Sequence, residues 1–364
     1  MKRILAGVLC VLLPMQSVQA SDIDTLVARA AASAPKQALG VAYAIGPGAP
    51  VVRVSGPVSR SGDVPVAAEA PWHIGSITKS FTAALIQRLV AQGVVSLDAP
   101  IGTYLPADRA EMHGDWQAVT LRQLLSHTAR LPANPPRGTL QDRRTREIHQ
   151  VRREVLGKAW GKPLTGAPGS YTYSNTGYVL AGFVAEEVTG QSWETLIQRE
   201  IAEPLGLTSL GFGPPLAPGA AWGHRSLLGF RRAVSPDAEV ADNPPWLGPA
   251  GTLHLSLADL VSWGRVQLDA CRGALPGFLS AEACQEMHRE VAESYGLGWV
   301  VVEEESGPRS WHNGSNTMWY AILAVVPDQD LVLAVATNSF DHKPIDALTL
   351  DLFDALTGGG DARD

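Results

Sequence analysis

The sequence predicts an α/β (α+β) protein: an antiparallel sheet assembled from both ends of the chain and flanked by helices, with an all-helical domain inserted between them. Three observations predict it. Short runs rich in β-branched and aromatic residues lie near the start (Leu39 to Ile45, Val51 to Ser55) and near the end (Leu297 to Val302, Met318 to Val326, Leu331 to Thr337). A helical stripe of apolar residues flanks each group, at Asp22 to Ala34 and at Pro344 to Leu356. From about residue 101 to 285 the pattern is of short helices in polar, proline-rich loops. One sheet built from residues 21–100 and 286–356, covered by a helical insertion at 101–285, accommodates all three.

At the N-terminus, Lys2 and Arg3 precede the apolar run Ile4 to Leu13, and Val18-Gln19-Ala20 stands before Ser21. Residues 1–20 therefore have the form of a secretory signal with a small-residue cleavage site. The run is too short for a permanent membrane span. Cys10 follows Leu9 rather than a small residue, so a lipid anchor is not expected. The expectation is an exported protein, periplasmic or secreted, without a stable membrane anchor. Its 364 residues, 45% of them hydrophobic, suffice for a large core. The formal net charge of −7 becomes more negative when Lys2 and Arg3 leave with the signal, which argues against nucleic acid or anionic lipid as partner. Outside the signal the cysteines are Cys271 and Cys284, expected to pair in an oxidising compartment, the alternative being two buried thiols.

Along the chain, Gly46 to Pro50 turns the first two strands into a hairpin, and a loop rich in Ser, Gly and Pro (Gly56 to Pro71) follows. Helices are expected from Ser76 onward and within Val119 to Thr128, Gly177 to Val188 and Leu257 to Leu268. Arg143, Arg144, Arg146, Arg152 and Arg153, interleaved with Glu147 and Glu154, read as a solvated helix face. Pro327 to Asp330 is a hairpin turn, and the glycine-rich residues 357–364 read as a disordered tail.

The chemistry centres on Trp72-His73-Ile74-Gly75-Ser76-Ile77-Thr78-Lys79. With Ser76 at the N-cap of a helix, Lys79 lies one turn away on the same face, bringing an amine to a hydroxyl. Ser-x-x-Lys also occurs at Ser33 to Lys36, but there the next residues are strand-like and no helix holds the pair together. Tyr173-Ser174-Asn175 is the single Tyr-x-Asn of the chain. A cationic lysine nearby would lower the phenol's pKa and let it take the Ser76 proton, and the Asn175 amide could hold a substrate carbonyl. His312-Asn313-Gly314-Ser315, set between two predicted strands, offers the Ser315 N–H as partner of the Ser76 N–H in an oxyanion hole. No Gly-x-Ser-x-Gly elbow, zinc motif or phosphate loop is present in the sequence. No metal or other cofactor is expected.

The motifs Ser76-x-x-Lys79, Tyr173-x-Asn175 and His312-x-Gly314, in that order, resemble those of the serine β-lactamase and penicillin-recognising hydrolase superfamily, on the class C branch. Leu124 to Thr128, Ala250 to Leu253 and Tyr295 to Trp299 frame them, and the likeness runs from about Leu39 to Leu356. The resemblance implies a β-lactamase/transpeptidase-like fold with the site in the cleft. It implies Ser76 as acylated nucleophile, Lys79 as its proton partner, Tyr173 as general base and Asn175 as substrate clamp. Ser76 and Ser315 would supply the oxyanion N–H groups, and His312 and Gly314 would contact substrate. Where β-lactamases have Lys-Thr-Gly this chain has His312-Asn313-Gly314, so a fixed cation for a substrate carboxylate is missing. The expected activity is therefore that of an esterase or peptidase on a small-molecule or peptide substrate. β-Lactamase or D-Ala-D-Ala carboxypeptidase activity ranks behind it, and a penicillin-binding-like module without turnover is the non-enzymatic alternative.

Overall fold

The computed structural model describes residues 20–136, 147–227, 230–304 and 307–358. The expected signal (1–20) lies almost wholly outside the described residues, as do residues 359–364 of the expected tail. The chain opens with α1 (Ala20–Ser33), β1 (Leu39–Ile45), β2 (Val51–Ser55), β3 (Pro71–His73) and α2 (Thr78–Ala91). The middle carries α3 (Gly114–Ala118), α4 (Leu121–Leu125), α5 (Ile148–Trp160), α6 (Asn175–Thr189), α7 (Trp193–Ile197) and α8 (Glu203–Leu205). Then come β4 (Gly211–Phe212), β5 (His224–Leu227), β6 (Phe230–Ala233), α9 (Gly248–Gly251), β7 (Leu253–Ser256), α10 (Leu257–Cys271) and α11 (Ala281–Met287). The chain closes with β8 (Val300–Glu304), β9 (Gly307–Ser315), β10 (Tyr320–Val326), β11 (Leu331–Thr337) and α12 (His342–Thr357).

A six-stranded antiparallel sheet in the order β2-β1-β11-β10-β9-β8 joins the two ends of the chain, because β1 pairs with β11 from Leu39↔Thr337 to Ile45↔Leu331. Both faces of this sheet are covered. Leu39, Val41, Ile322, Leu333 and Val335 face one core with Ile23 and Val27 of α1 and Leu348 and Leu352 of α12. Ala42, Ala44, Leu323, Val332 and Ala334 face the larger core beneath α2 and α10. Every residue of β10 and β11 is buried, which explains why they read as continuous apolar runs rather than alternating ones.

Small residues on the inner face set how closely helices approach. A Cβ on Gly264 of α10 would lie 2.4 Å from Val332 Cγ1, and one on Gly40 of β1 would lie 2.4 Å from Leu257 Cδ1. So α10, which the sequence places in the helical part, packs on the sheet. Two small sheets, β3-β7-β4 and the β5-β6 hairpin, add to the helices of that part. β9 is the strand that the sequence pattern misses: its runs of polar side chains and two glycines hide a strand whose inward residues alternate with half-buried ones. His312 thus lies within a strand and not between two.

The basic cluster also differs from expectation. Arg152 is not on a solvated face; it is completely buried and holds Glu186 and Glu194, with the Trp246 carbonyl as a further acceptor. Arg153 is the half-buried neighbour, paired with Glu187 at 2.6 Å. Interleaved charges mark partners as readily as solvent, and here the partners come from α6 and α7. Arg143, Arg144 and Arg146 lie outside the described residues.

Candidate active site

α2 is buried on nearly every side, with Thr78 to Gln87 and Leu89 out of solvent, so it is the central rod against which both halves pack. The chain reaches it through β3 and a single 3₁₀ turn, Gly75–Ile77. Ser76 therefore stands in the turn ahead of the helix and is not its N-cap; Ile77 occupies that position and no side chain caps it. The turn requires glycine. Gly75 has φ +52°, and a Cβ on it would lie 2.1 Å from the Ser315 nitrogen. A Cβ on Gly314 would lie 1.9 Å from the Ile74 carbonyl and 2.4 Å from the Ser76 nitrogen. Two glycines thus let the backbone at Ser76 lie directly on the backbone at Ser315, which places both oxyanion N–H candidates side by side.

Tyr173 and Asn175 are brought to Ser76 by the start of α6. Ser174 is the N-cap, its hydroxyl accepting from the Gly177 N–H at 3.0 Å and donating to the Pro132 carbonyl at 2.7 Å. His127 holds the same segment from the other side. Its carbonyl accepts the Thr172 N–H at 2.8 Å and its Nδ1 accepts the Ser174 N–H at 3.0 Å, so it brackets Tyr173. Its ring lies 4.3 Å from that of Tyr173. No spacing rule in the sequence assigns His127 this work; it is visible only as part of the framing run Leu124 to Thr128.

Lys79 is completely buried. Its Nζ lies 2.9 Å from Ser76 Oγ, 2.8 Å from Asn175 Oδ1 and 2.7 Å from the Ala250 carbonyl. Three oxygens could satisfy an ammonium, but none of them carries charge, and burial lowers Lys79 well below the ordinary lysine range. The neutral amine has two hydrogens and one lone pair. As an ammonium the group donates to all three; once it gives up a proton, two hydrogens remain for the two carbonyl oxygens and the lone pair is free for the Ser76 hydroxyl.

Tyr173 differs from expectation. Lys79 Nζ sits over its ring, 4.9 Å from the centroid, and does not lower its pKa. Burial of the hydroxyl pushes Tyr173 above the usual phenol range, against the opposing effect of a hydrogen bond with Ser76. The phenol oxygen and Ser76 Oγ are hydrogen-bond partners, and with its pKa raised the phenol stays protonated and can act as a donor.

His312 is turned inward. Nδ1 donates to the carbonyl oxygen of Asn313, and Nε2 accepts from the Tyr295 hydroxyl at 2.9 Å. Burial brings its pKa down to about 3, so it is neutral and both ring nitrogens are engaged within the protein. Expected as a substrate contact, it lies with its side chain inward on the strand that carries Gly314 and Ser315. Asn175 Nδ2 donates to Asn134 Oδ1 at 2.9 Å, which puts Asn134 of the loop after Leu131 at the cleft. Cys271 and Cys284 form a disulfide between α10 and α11. With His288 they are the one convergence of metal-ligand types among the described residues, and the bond consumes both sulfurs. No helix among the described residues is long and apolar enough to cross a membrane.

Comparison with known proteins agrees with this geometry. The profile of the Beta-lactamase family matches residues 25–355. Penicillin-binding protein 4 of Amycolatopsis lactamdurans is 28% identical over 307 residues, 78% of this chain and 76% of that protein. The crystal structure of SurE superposes with a TM-score of 0.75 at 27% identity, over 92% of this chain and 76% of that one. D-amino acid amidase from Ochrobactrum anthropi SV3, complexed with L-phenylalanine amide, superposes with a TM-score of 0.77 at 19% identity, over 93% and 99%. That last likeness is one of fold.

Proposed function

The chain is a serine hydrolase belonging to the Beta-lactamase family, and on that premise we propose that it is exported and cleaves an ester or amide through an acyl-enzyme on Ser76. The observation that carries the reading is the buried Lys79 amine, 2.9 Å from the Ser76 hydroxyl and held by burial well below the ordinary lysine range. Ser76 Oγ attacks the substrate carbonyl carbon while its proton passes to Lys79 Nζ. The oxygen gains negative charge between the N–H groups of Ser76 and Ser315. As the carbonyl bond to the leaving group breaks, that group takes the Tyr173 proton and departs as an alcohol or amine, and the proton that Lys79 took from Ser76 replaces the one the phenol gave up. Water then attacks the acyl carbon, gives a proton to the same amine, and Ser76 recovers its hydrogen as the acid leaves.

Substrate choice follows from His312. A β-lactam or a peptide C-terminus carries a carboxylate beside the scissile bond, and a buried neutral imidazole with both nitrogens occupied offers it no cation. An acyl donor without that carboxylate, a small ester or an internal amide, suits the site better than a β-lactam or a D-Ala-D-Ala terminus. Export to the periplasm or medium fits the paired Cys271 and Cys284, which persist in oxidising compartments. The test is p-nitrophenol release from short-chain p-nitrophenyl esters by wild type and Ser76→Ala. Loss of turnover by orders of magnitude in the variant supports the reading. Equal inertness of both proteins, on esters and on β-lactams, would sink it in favour of a binding module.

A further inference from the structure

The oxyanion hole is formed by two stretches of chain that are far apart in sequence, and a buried polar bridge ties them together behind the site. His73, the last residue of β3, is wholly out of solvent. Its Nδ1 accepts the Gly75 N–H at 3.1 Å, so the ring hydrogen is on Nε2. Nε2 lies 2.9 Å from Asp242 Oδ1, at an angle that makes the contact one of charge and dipole rather than a straight hydrogen bond. The same Asp242 Oδ1 accepts Asn316 Nδ2 at 2.8 Å. Asn316 Oδ1 in turn accepts the N–H groups of Met318 and Trp319, at 3.1 and 3.2 Å, and so shapes the turn that follows Ser315. The Trp319 indole lies against the His73 ring at 5.6 Å, closing the loop.

We infer that His73, Asp242 and Asn316 are positioning residues that fix the Ser76 N–H against the Ser315 N–H. The reading rests on the proposed acyl transfer at Ser76. One end of the bridge grips the residue before Ser76 and the other grips the residue after Ser315. Between those ends the backbones of Gly75–Ser76 and Gly314–Ser315 lie against each other with no Cβ between them. Thr317, in the turn that Asn316 holds, has φ +72°, a conformation that a non-glycine residue keeps only when its surroundings over-determine it. Polar groups buried this deeply are costly unless satisfied, so the bridge has few alternative arrangements. Asp242 reaches it from the loop between β6 and α9, whose Asn243 also donates to the Gly251 carbonyl at 3.3 Å, beside Gly75. That loop therefore acts on the reaction without touching substrate.

The experiment compares wild type, Asp242→Asn, His73→Asn and the exchanged pair Asp242→Asn/Asn316→Asp, on an ester that wild type turns over in a Ser76-dependent way. His73→Asn keeps an acceptor near Nδ1 for Gly75 and loses the reach to Asp242. Three quantities are read: kcat, KM and inhibition by a boronic acid whose tetrahedral adduct places an oxygen in the hole. Each single variant is expected to lose roughly 10- to 100-fold in kcat. KM should hold, and boronate affinity should fall by the same factor as kcat. The exchanged pair should recover most of both. Folded single variants that keep wild-type kcat and boronate affinity overturn the inference while leaving Ser76 chemistry intact. A loss in kcat without a matching loss in boronate affinity overturns it too. If the single variants do not fold, the exchanged pair decides: recovery of kcat and boronate affinity supports the bridge, and a folded pair that stays impaired in both contradicts it. Wild type that shows no Ser76-dependent turnover defeats the functional reading first and separately.

Discussion

Lys79 Nζ stands 2.9 Å from Ser76 Oγ with no carboxylate among its hydrogen-bond partners, and Lys79 is completely out of solvent. Burial without a counter-charge lowers the pKa of a lysine so placed and favours its role as a base. Activity requires its neutral form, which is present above its lowered pKa and lost as pH falls through it. The pH profile of kcat/KM on a neutral ester should rise once, with one proton, to a plateau. Tyr173 must stay protonated, and its raised pKa keeps the alkaline limb beyond the usual phenol range. Lys79→Arg should lose about 10²–10⁴ in kcat/KM, the size of a general-base contribution.

Stability carries the same signature. Unfolded, Lys79 titrates near 10.4, roughly the model-peptide value. Between its lowered folded pKa and that value the unfolded chain binds more protons, so stability rises with pH. Denaturant melts of wild type and Lys79→Met across that range should therefore converge or cross in the direction of a stronger wild type as pH rises. A difference that does not change with pH would contradict a neutral Lys79.

Gly314→Ala places a Cβ 2.4 Å from the Ser76 nitrogen, at the oxyanion hole itself. The expected result is a loss of at least about 10²-fold in kcat, as for removal of one oxyanion donor. Steady-state kinetics on a short ester measures it, with a thermal melt to report the cost in stability.

Because His312 is neutral and internally bonded, a carboxylate on the substrate gains nothing at this site. Paired esters that differ by a carboxylate beside the scissile carbonyl should show kcat/KM lower for the acid by on the order of tenfold or more. A preference for the acid would mean that a cation reaches the cleft from elsewhere.

Arg152 pairs with Glu186, which is buried, and with Glu194, which is partly exposed. Arg152→Ala leaves the buried Glu186 carboxylate without its cation and should cost about 3–5 kcal/mol in urea unfolding. The same change at Arg153, which is half-buried with its ion pairs reaching solvent, should cost less, about 1 kcal/mol.

Much of this molecule is legible in its residues. β1, β2 and β11 follow their apolar runs to the residue, and α12 keeps the stripe of Ile345, Leu348, Leu352 and Leu356 against the sheet. Ser76, Lys79, Tyr173 and Asn175 meet because short-range rules act on each: a glycine turn before Ser76, one helical turn to Lys79, and a serine cap between Tyr173 and Asn175. What long-range contacts decide is harder to read. β9 has a polar, glycine-containing sequence and becomes a strand because β8 and β10 pair with it. His312 faces inward because Tyr295, 17 residues away in sequence, receives it. The direction of the Tyr173 shift depends on how much water reaches its hydroxyl, which no spacing encodes.

The measurement that bears most directly on the central claim is an NMR titration of the Lys79 side chain, with ¹³C,¹⁵N-labelled lysine and Lys79→Arg to assign the signal. A Lys79 Cε and Nζ that shift to the neutral-amine range at a pH well below that of the other lysines is the predicted result. A Lys79 that stays charged from pH 7 to pH 9 would contradict it, and the Ser76 proton would then need another acceptor.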